Sequence, residues 1–314
     1  MARPCVLGAS ALPEFLQSPL EKDFEFHDRL HKKDPAAFAE IAPRIRGLIV
    51  GGGSPVTKEL LDQLPALEVI SVFAVGYDKV DVAAAKARGI PVSHTPDVLT
   101  DDVADLSMAL MFNIARQLPA ADRFVRDGNW AQGAFPLQRK VSGARLGIMG
   151  LGRIGRAIAK RGEALGMHVG YHSRTRKFDV DYTFHDSLNE LATASDFLVI
   201  AAYGGPSTEG LVDESVLEAL GKKGYLINIA RGSIIDEPAL LDALEQGRIA
   251  GAGLDVFATE PGINERFLSL PNVVLAPHVG SATWQTRQAM AQLAHANLEA
   301  HFAGGKLLTP VPES

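Results

Sequence analysis

The chain has 314 residues, more than one hydrophobic core of ordinary size absorbs, so two domains are expected. Hydrophobic residues make up 46% and charged ones 22%, the balance of an ordinary globular protein, and no apolar run reaches membrane-spanning length. A formal net charge of −6 leaves no basic footprint for nucleic acid, the lone Cys5 excludes an internal disulfide, and "MARPCVLGASALPEF" lacks the apolar stretch of a secretory leader; a cytoplasmic enzyme or binding protein is expected.

Short apolar runs bounded by Gly or Pro alternate along the chain with longer amphipathic segments, the βαβ signature of a parallel sheet. In the first hundred residues "CVLGA", "GLIVG", "EVISVF" and "PVSHT" read as strands. Between them "KELLDQL" and "DVAAAKARG" read as helices, the second ended by Gly89. A long helical pattern follows from Asp101 to about Asp127, which Pro119 should kink or restart. A second series of strands comes next: "RLGIMG", "HVGYHS", "DFLVIAA", "YLINIA", "AGLDV" and "NVVLAP". The helix "DEPALLDALEQG" carries its own start and stop, with Asp236 as cap, Pro238 in the first turn and Gly247 at the end. A last amphipathic helix runs from about Thr283 to Gly304. Two α/β domains, the second the larger, account for the chain.

The glycines of "GLGRIG", at Gly150, Gly152 and Gly155, follow an apolar strand and open a helix whose apolar face is Ile154, Ile158 and Leu165. Glycines there let the chain turn tightly and let backbone amides approach a diphosphate at a helix N-terminus. A purely structural turn is the alternative, and the strand–loop–helix context favours the cofactor. The next strand ends in Ser173, Arg174, Thr175 and Arg176, where an acidic residue would receive a free ribose 2′-hydroxyl. A guanidinium and two hydroxyls suit a 2′-phosphate instead, so NADP(H) is preferred, with NAD(H) as the alternative. The other reading of this stretch is a solvated basic loop.

Three polar side chains sit just past strand ends, where open α/β sheets bind ligands: Arg231, Glu260 and His278. Here the sequence resembles the D-isomer-specific 2-hydroxyacid dehydrogenases. The motifs are "VGYDKVD" (75–81), "GLGRIG" (150–155), "NIARGSIIDEPAL" (228–240), "LDVFATEP" (254–261) and "PHVGSAT" (277–283). The resemblance implies reduction of a 2-keto acid by hydride. Arg231 would anchor the carboxylate and polarise the carbonyl, His278 would donate the proton, and Glu260 would stabilise the imidazolium. Backbone amides at Val75 and Gly76 would complete the carboxylate site. Cofactor contacts are implied for Gly150, Leu151, Gly152, Arg153, Ile154 and Gly155, for Ser173, Arg174 and Thr175, for Ile229, Ala230 and Arg231, and for Asp255, His278 and Gly280.

The family's fold would be two doubly wound parallel-sheet α/β domains with the cleft between them. A flavodoxin-like substrate domain would hold residues 1–99 and 286–314, and a Rossmann cofactor domain residues 100–285. Segment 126–143, with Trp130 and Phe135, corresponds to the arm that packs on a partner subunit, so a homodimer is expected. The scattered histidines give no metal site.

One departure stands out. Where many members have a Pro-Leu-Thr turn, this chain has Tyr203, Gly204, Gly205, Pro206, Ser207 and Thr208, a form similar to the glyoxylate/hydroxypyruvate and hydroxyphenylpyruvate reductase branch. Phe73 beside the carboxylate turn either limits substrate size or belongs to the core; Ala74 and Trp284 shape the pocket or merely pack. A small 2-keto acid is the expected substrate, with hydroxyphenylpyruvate or phenylpyruvate as the alternative. A nucleotide-sensing corepressor of the same fold is a remote one, because neither terminus has the composition of a long disordered extension.

Overall fold

The apolar runs become parallel strands in both parts of the chain. The computed structural model describes residues 3–312. It divides into two compact units, one joining the residues up to Leu99 with those from Ala282 onward, the other Thr100–Ser281. The second boundary thus lies a few residues before the one expected after position 285.

In the first unit the strands are β1 (Cys5–Gly8), β2 (Glu25–Asp28), β3 (Ile45–Gly51), β4 (Val69–Phe73) and β5 (Val92–Ser93). They pair in parallel in the order β2-β1-β3-β4-β5. Leu7, Leu48, Val50, Ile70, Val72 and Val92 bury completely in one cluster, each such side chain contributing about 1.5–3 kcal/mol. The helix Trp284–Phe302, capped by the Thr283 hydroxyl, returns to this sheet. There the Ser71 hydroxyl donates to the carbonyl of Ala294 at 2.9 Å, and Ser93 bridges to Pro310.

The second unit holds β6 (Arg145–Met149), β7 (His168–His172), β8 (Thr183–Phe184), β9 (Phe197–Ile200), β10 (Tyr225–Asn228), β11 (Gly251–Leu254) and β12 (Val273–Leu275). Their order is β12-β11-β10-β9-β6-β7-β8, all parallel. The order reverses between β6 and β9, the switch point at which doubly wound sheets open a crevice beyond their strand ends. Leu198, Ile200, Leu226 and Leu254 pack beneath it with Val216 and Leu241.

The long helix expected over 101–127 is two helices, Thr100–Arg116 and Leu118–Arg126. Gln117 between them takes the left-handed conformation (φ 52°), and Pro119 sits in the first turn of the restarted helix, where its missing N–H costs nothing. Asp236 accepts from the Ala239 amide at 3.1 Å and so caps the Glu237–Glu245 helix, a contact that contributes about 0.5–2 kcal/mol.

Candidate active site

The glycine loop fits a dinucleotide diphosphate by what its glycines leave out. Gly150 has φ +96°, and a Cβ there would lie 2.7 Å from backbone atoms of Ala202, so the loop after β6 lies against the one after β9. At Gly155 a Cβ would meet the Gly150 carbonyl oxygen, which holds the first turn of the helix Arg153–Ala164 tight against the loop. Gly152 sits at the N-cap with nothing within 4 Å of an added Cβ. That open position at the N-terminus of the helix is where a phosphate can approach. Leu151 is buried, Ile154 half-buried and Arg153 exposed.

At the end of β7 the Ser173 hydroxyl donates to the carbonyl of Thr175 at 2.8 Å, which folds the turn on itself. Arg174 and Thr175 are exposed. Arg176 is held elsewhere, its guanidinium 5.8 Å from the ring centroids of Phe178 and Phe184. The first carboxylate after this turn, Asp179, pairs with Arg156 at 2.9 Å. Arg174 is therefore the exposed cation of the turn that neither an aromatic face nor that carboxylate engages.

Beyond β10 the chain turns sharply and presents Arg231. Asn228, fully buried, makes this turn: its side-chain oxygen accepts from the Ala230 amide at 3.0 Å, and its amide group donates to the Arg231 carbonyl at 2.9 Å. Ile229 is buried and Ala230 half-buried. Two glycines then admit the arginine. A Cβ on Gly232 would lie about 2 Å from the Phe257 carbonyl group, so only glycine lets this backbone rest on the segment leading to Glu260. A Cβ on Gly204 would lie 2.4 Å from Cγ and 3.0 Å from Cβ of Arg231. The Gly204 turn is itself pinned by Thr208, whose hydroxyl bridges Tyr203 and Gly205.

His278 follows β12 in left-handed backbone (φ 54°), a conformation that strains a non-glycine residue by about 1–3 kcal/mol. Asp255, 1% exposed, holds it there. Its two carboxylate oxygens accept from the amides of Val279 at 2.7 Å and Gly280 at 2.9 Å, while its carbonyl accepts from the His278 amide at 2.9 Å. Burial pushes the Asp255 carboxyl above its usual range, against the pull of those amides. Asp255, expected at the cofactor, thus spends both oxygens on the histidine turn.

Nδ1 of His278 lies 2.6 Å from Oε2 of Glu260, and Oε1 of Glu260 accepts from the Phe257 amide at 3.0 Å. Burial raises the Glu260 carboxyl, but the His278 and Phe257 hydrogen bonds and the charges of His278 and Arg231 outweigh it and hold it below the ordinary range. The structure therefore brings Arg231, Glu260 and His278 into one electrostatic cluster. Asn228, Gly204 and Gly232 are the members that sequence reading missed. A buried Asn closing an otherwise apolar strand was the available signal.

Val75 and Gly76 lie in the other unit, just past β4. The Val75 carbonyl is 2.9 Å from Nδ1 of His94, and the Gly76 carbonyl would stand 3.1 Å from a Cβ on Gly52. Among the described residues no helix is long and apolar enough to cross a membrane.

The chain is similar to known proteins. The family model "D-isomer specific 2-hydroxyacid dehydrogenase, NAD binding domain" matches residues 108–280. Hydroxyphenylpyruvate reductase of Plectranthus scutellarioides is 46% identical over 98% of both chains. 2-Ketogluconate reductase of Gluconobacter oxydans (strain 621H) is 46% identical over 99% of both. A crystal structure of an NADPH-dependent glyoxylate/hydroxypyruvate reductase from Sinorhizobium meliloti, in complex with NADP and malonate, superposes with a TM-score of 0.94 at 44% identity, covering 99% of this chain and 98% of that one. The protein is an NAD(P)-dependent oxidoreductase, and the chain belongs to the D-isomer-specific 2-hydroxyacid dehydrogenase family.

Proposed function

We propose that this enzyme reduces small 2-keto acids, glyoxylate and hydroxypyruvate foremost, to D-2-hydroxy acids, with NADPH preferred over NADH. The observation that carries the proposal is the 2.6 Å contact between Nδ1 of His278 and Glu260. With that nitrogen engaged, Nε2 is the one left to give a proton to the oxygen of a carbonyl under reduction. Glu260 is anionic at neutral pH and stabilises the imidazolium. Arg231 offers a planar fork to adjacent carboxylate and keto oxygens and stabilises the charge that develops on the latter. The amides of Val75 and Gly76 take the rest of the carboxylate. A bound nicotinamide supplies the hydride, from a dinucleotide held by the residues from Gly150 to Gly155 with Ile229, Ala230 and Gly280 beside it.

In this reading the unit Thr100–Ser281 binds the dinucleotide and the other unit binds the substrate. The exposed apolar side chains of the 126–143 segment, Trp130 and Leu137 above all, make the subunit contact of a homodimer. The NADPH preference rests on Arg174, since a charge-assisted hydrogen bond to the 2′-phosphate contributes about 1.5–3 kcal/mol, roughly 10- to 150-fold in affinity.

The test is kcat/KM for glyoxylate, hydroxypyruvate, pyruvate, phenylpyruvate and hydroxyphenylpyruvate, each with NADPH and NADH. Highest values on an aromatic acid would replace the small-substrate reading with the aromatic one. An absence of turnover on every acid would favour a nucleotide sensor. Arg174→Asp should invert the cofactor preference, and equal values with both cofactors in the wild type would show that the turn plays no part in the choice.

A further inference from the structure

The unit that carries Val75 and Gly76 contains a cavity of about 500 Å³, in the size range of small-molecule sites. Ser10, Phe15, Gly52, Ser54, Phe73 and Arg287 line it. The cavity adjoins the carboxylate turn. A Cβ on Gly52 would lie 2.3 Å from that of Ala74 and 3.1 Å from the Gly76 carbonyl, so bare backbone brings one cavity wall onto the Ala74–Gly76 segment. Phe73, at the end of β4, links the two.

Arg287 is the unusual member. It lies in the first turn of the helix Trp284–Phe302, half-buried, its guanidinium 5.9 Å from the centroid of the Phe73 ring. Every other arginine described in this unit donates to an oxygen. Arg3 reaches the carbonyls of Glu21 and Lys22, Arg29 pairs with Asp28, Arg44 with Glu25, Arg46 with Glu68, and Arg88 reaches the carbonyls of Leu61 and Leu64. For Arg287 no carboxylate or carbonyl acceptor is found among the described residues. Burial pushes its pKa down with no acidic neighbour to offset it. A guanidinium that is desolvated and unpaired is costly unless a ligand completes it.

We propose that Arg287 is a specificity-determining residue that binds a second acidic group on the substrate, so that among 2-keto acids with side chains longer than that of hydroxypyruvate, those carrying a distal carboxylate are favoured over apolar ones. The proposal rests on the reading above, in which the 2-keto acid places its first carboxylate on Val75 and Gly76. The side chain then extends along Phe73 into the cavity, where the distal carboxylate receives the guanidinium. Phe73 thus forms a wall that orients Arg287, in place of the size limit considered from the sequence.

The test compares oxaloacetate with 2-keto-4-methylpentanoate, which has nearly the same shape with an isopropyl group in place of the distal carboxylate. In the wild type with NADPH, kcat/KM should favour oxaloacetate by about 10- to 100-fold, the gain from a charge-assisted bidentate contact. Arg287→Leu should collapse that ratio to about one, and Arg287→Lys should keep part of it, which separates lost charge from a damaged fold. A ratio near one in the wild type, or a high ratio that survives Arg287→Leu, overturns the proposal. A second readout is independent of turnover: calorimetric titration of the NADPH-loaded protein with D-malate, which cannot react with the reduced cofactor. Binding weakened about tenfold or more by Arg287→Leu supports the site even if no keto acid is reduced, in which case the proposed activity alone fails. Glyoxylate turnover together with D-malate binding that ignores Arg287 has the opposite meaning.

Discussion

Gly204 and Gly205 are adjacent glycines with opposite surroundings, and replacing each by alanine isolates what seats Arg231. At Gly204 the new Cβ would fall 2.4 Å from Cγ of Arg231, about 1 Å inside the 3.4 Å at which ordinary contact begins. The arginine cannot retreat at its root, because its carbonyl is held by the Asn228 side chain at 2.9 Å and by the Ile234 amide. The guanidinium must therefore shift by about the length of the overlap, and a misplacement of about 1 Å at a reacting centre costs about 100-fold in rate. That is about 2.7 kcal/mol of transition-state stabilisation. At Gly205 the nearest atom to a new Cβ is Cε1 of Tyr203 at 3.7 Å, an ordinary contact. Neither glycine has the left-handed backbone that would strain alanine. Initial rates on glyoxylate with NADPH should show kcat/KM down about 100-fold in Gly204→Ala and within about twofold of wild type in Gly205→Ala. Thermal melting and NADPH titration serve as controls for fold and cofactor site. If the two variants behave alike, Arg231 is not seated by the missing Cβ and the argument fails.

Three further outcomes follow from the same geometry. His278→Ala should lower kcat by roughly 10²–10⁴ while fluorescence titration still shows NADPH binding, and near-wild-type kcat would remove His278 from the chemistry. Because the folded-state pKa of Glu260 is lowered, its ionised form adds stability that is complete above the usual carboxylate value near 4.5 and is lost as pH falls through the lowered value. The melting temperature of Glu260→Gln should lack that part of the acid dependence, and its pH optimum for reduction should move downward as the imidazolium loses its anion; identical acid-melting curves would contradict this. Replacing both Trp130 and Leu137, the first 68% exposed and the second fully so, by Ser should convert a dimer to monomers in sedimentation velocity, whereas an unchanged sedimentation coefficient would move the contact elsewhere.

Much of this architecture was legible because buried parallel strands are written as apolar runs. The strands that escaped reading lie at the sheet edges. β2 is "EFHD", a half-buried edge strand with no apolar alternation, held by its backbone pairing to β1. β8 is only Thr183–Phe184, too short for a pattern. The break at Gln117 was announced by Pro119, which restarts the helix, although nothing in a glutamine announces the left-handed backbone it takes there. The chemical groups stood out because each follows a strand end, where side chains meet ligands. Their supports did not. Asn228 acts on the Ala230 amide and the Arg231 carbonyl of its own turn. Asp255, read from the sequence only as a cofactor contact, acts on amides 24 and 25 residues later. Gly204 and Gly232 act through volume they do not occupy, so these roles exist only once the turns are folded.

The two units also differ in how they can be made. Thr100–Ser281 is one continuous stretch, whereas its companion is assembled from both ends of the described chain. The Ser71 hydroxyl bonds to a carbonyl 223 residues later, and the His94 carbonyl accepts from the hydroxyl of Thr309, 215 residues later. During synthesis at the ribosome, domains fold as their chain becomes available. The interrupted unit must therefore keep β4 and β5 waiting until the helix Trp284–Phe302 emerges, while the inserted stretch needs nothing beyond itself. Ordering the insert first also shortens the effective loop that the early strands must close, which lowers the entropy cost of those late contacts. A nascent chain whose insert has emerged while the helix Trp284–Phe302 has not would thus carry a folded insert beside exposed apolar strands, the form of the chain most open to chaperone capture and to aggregation.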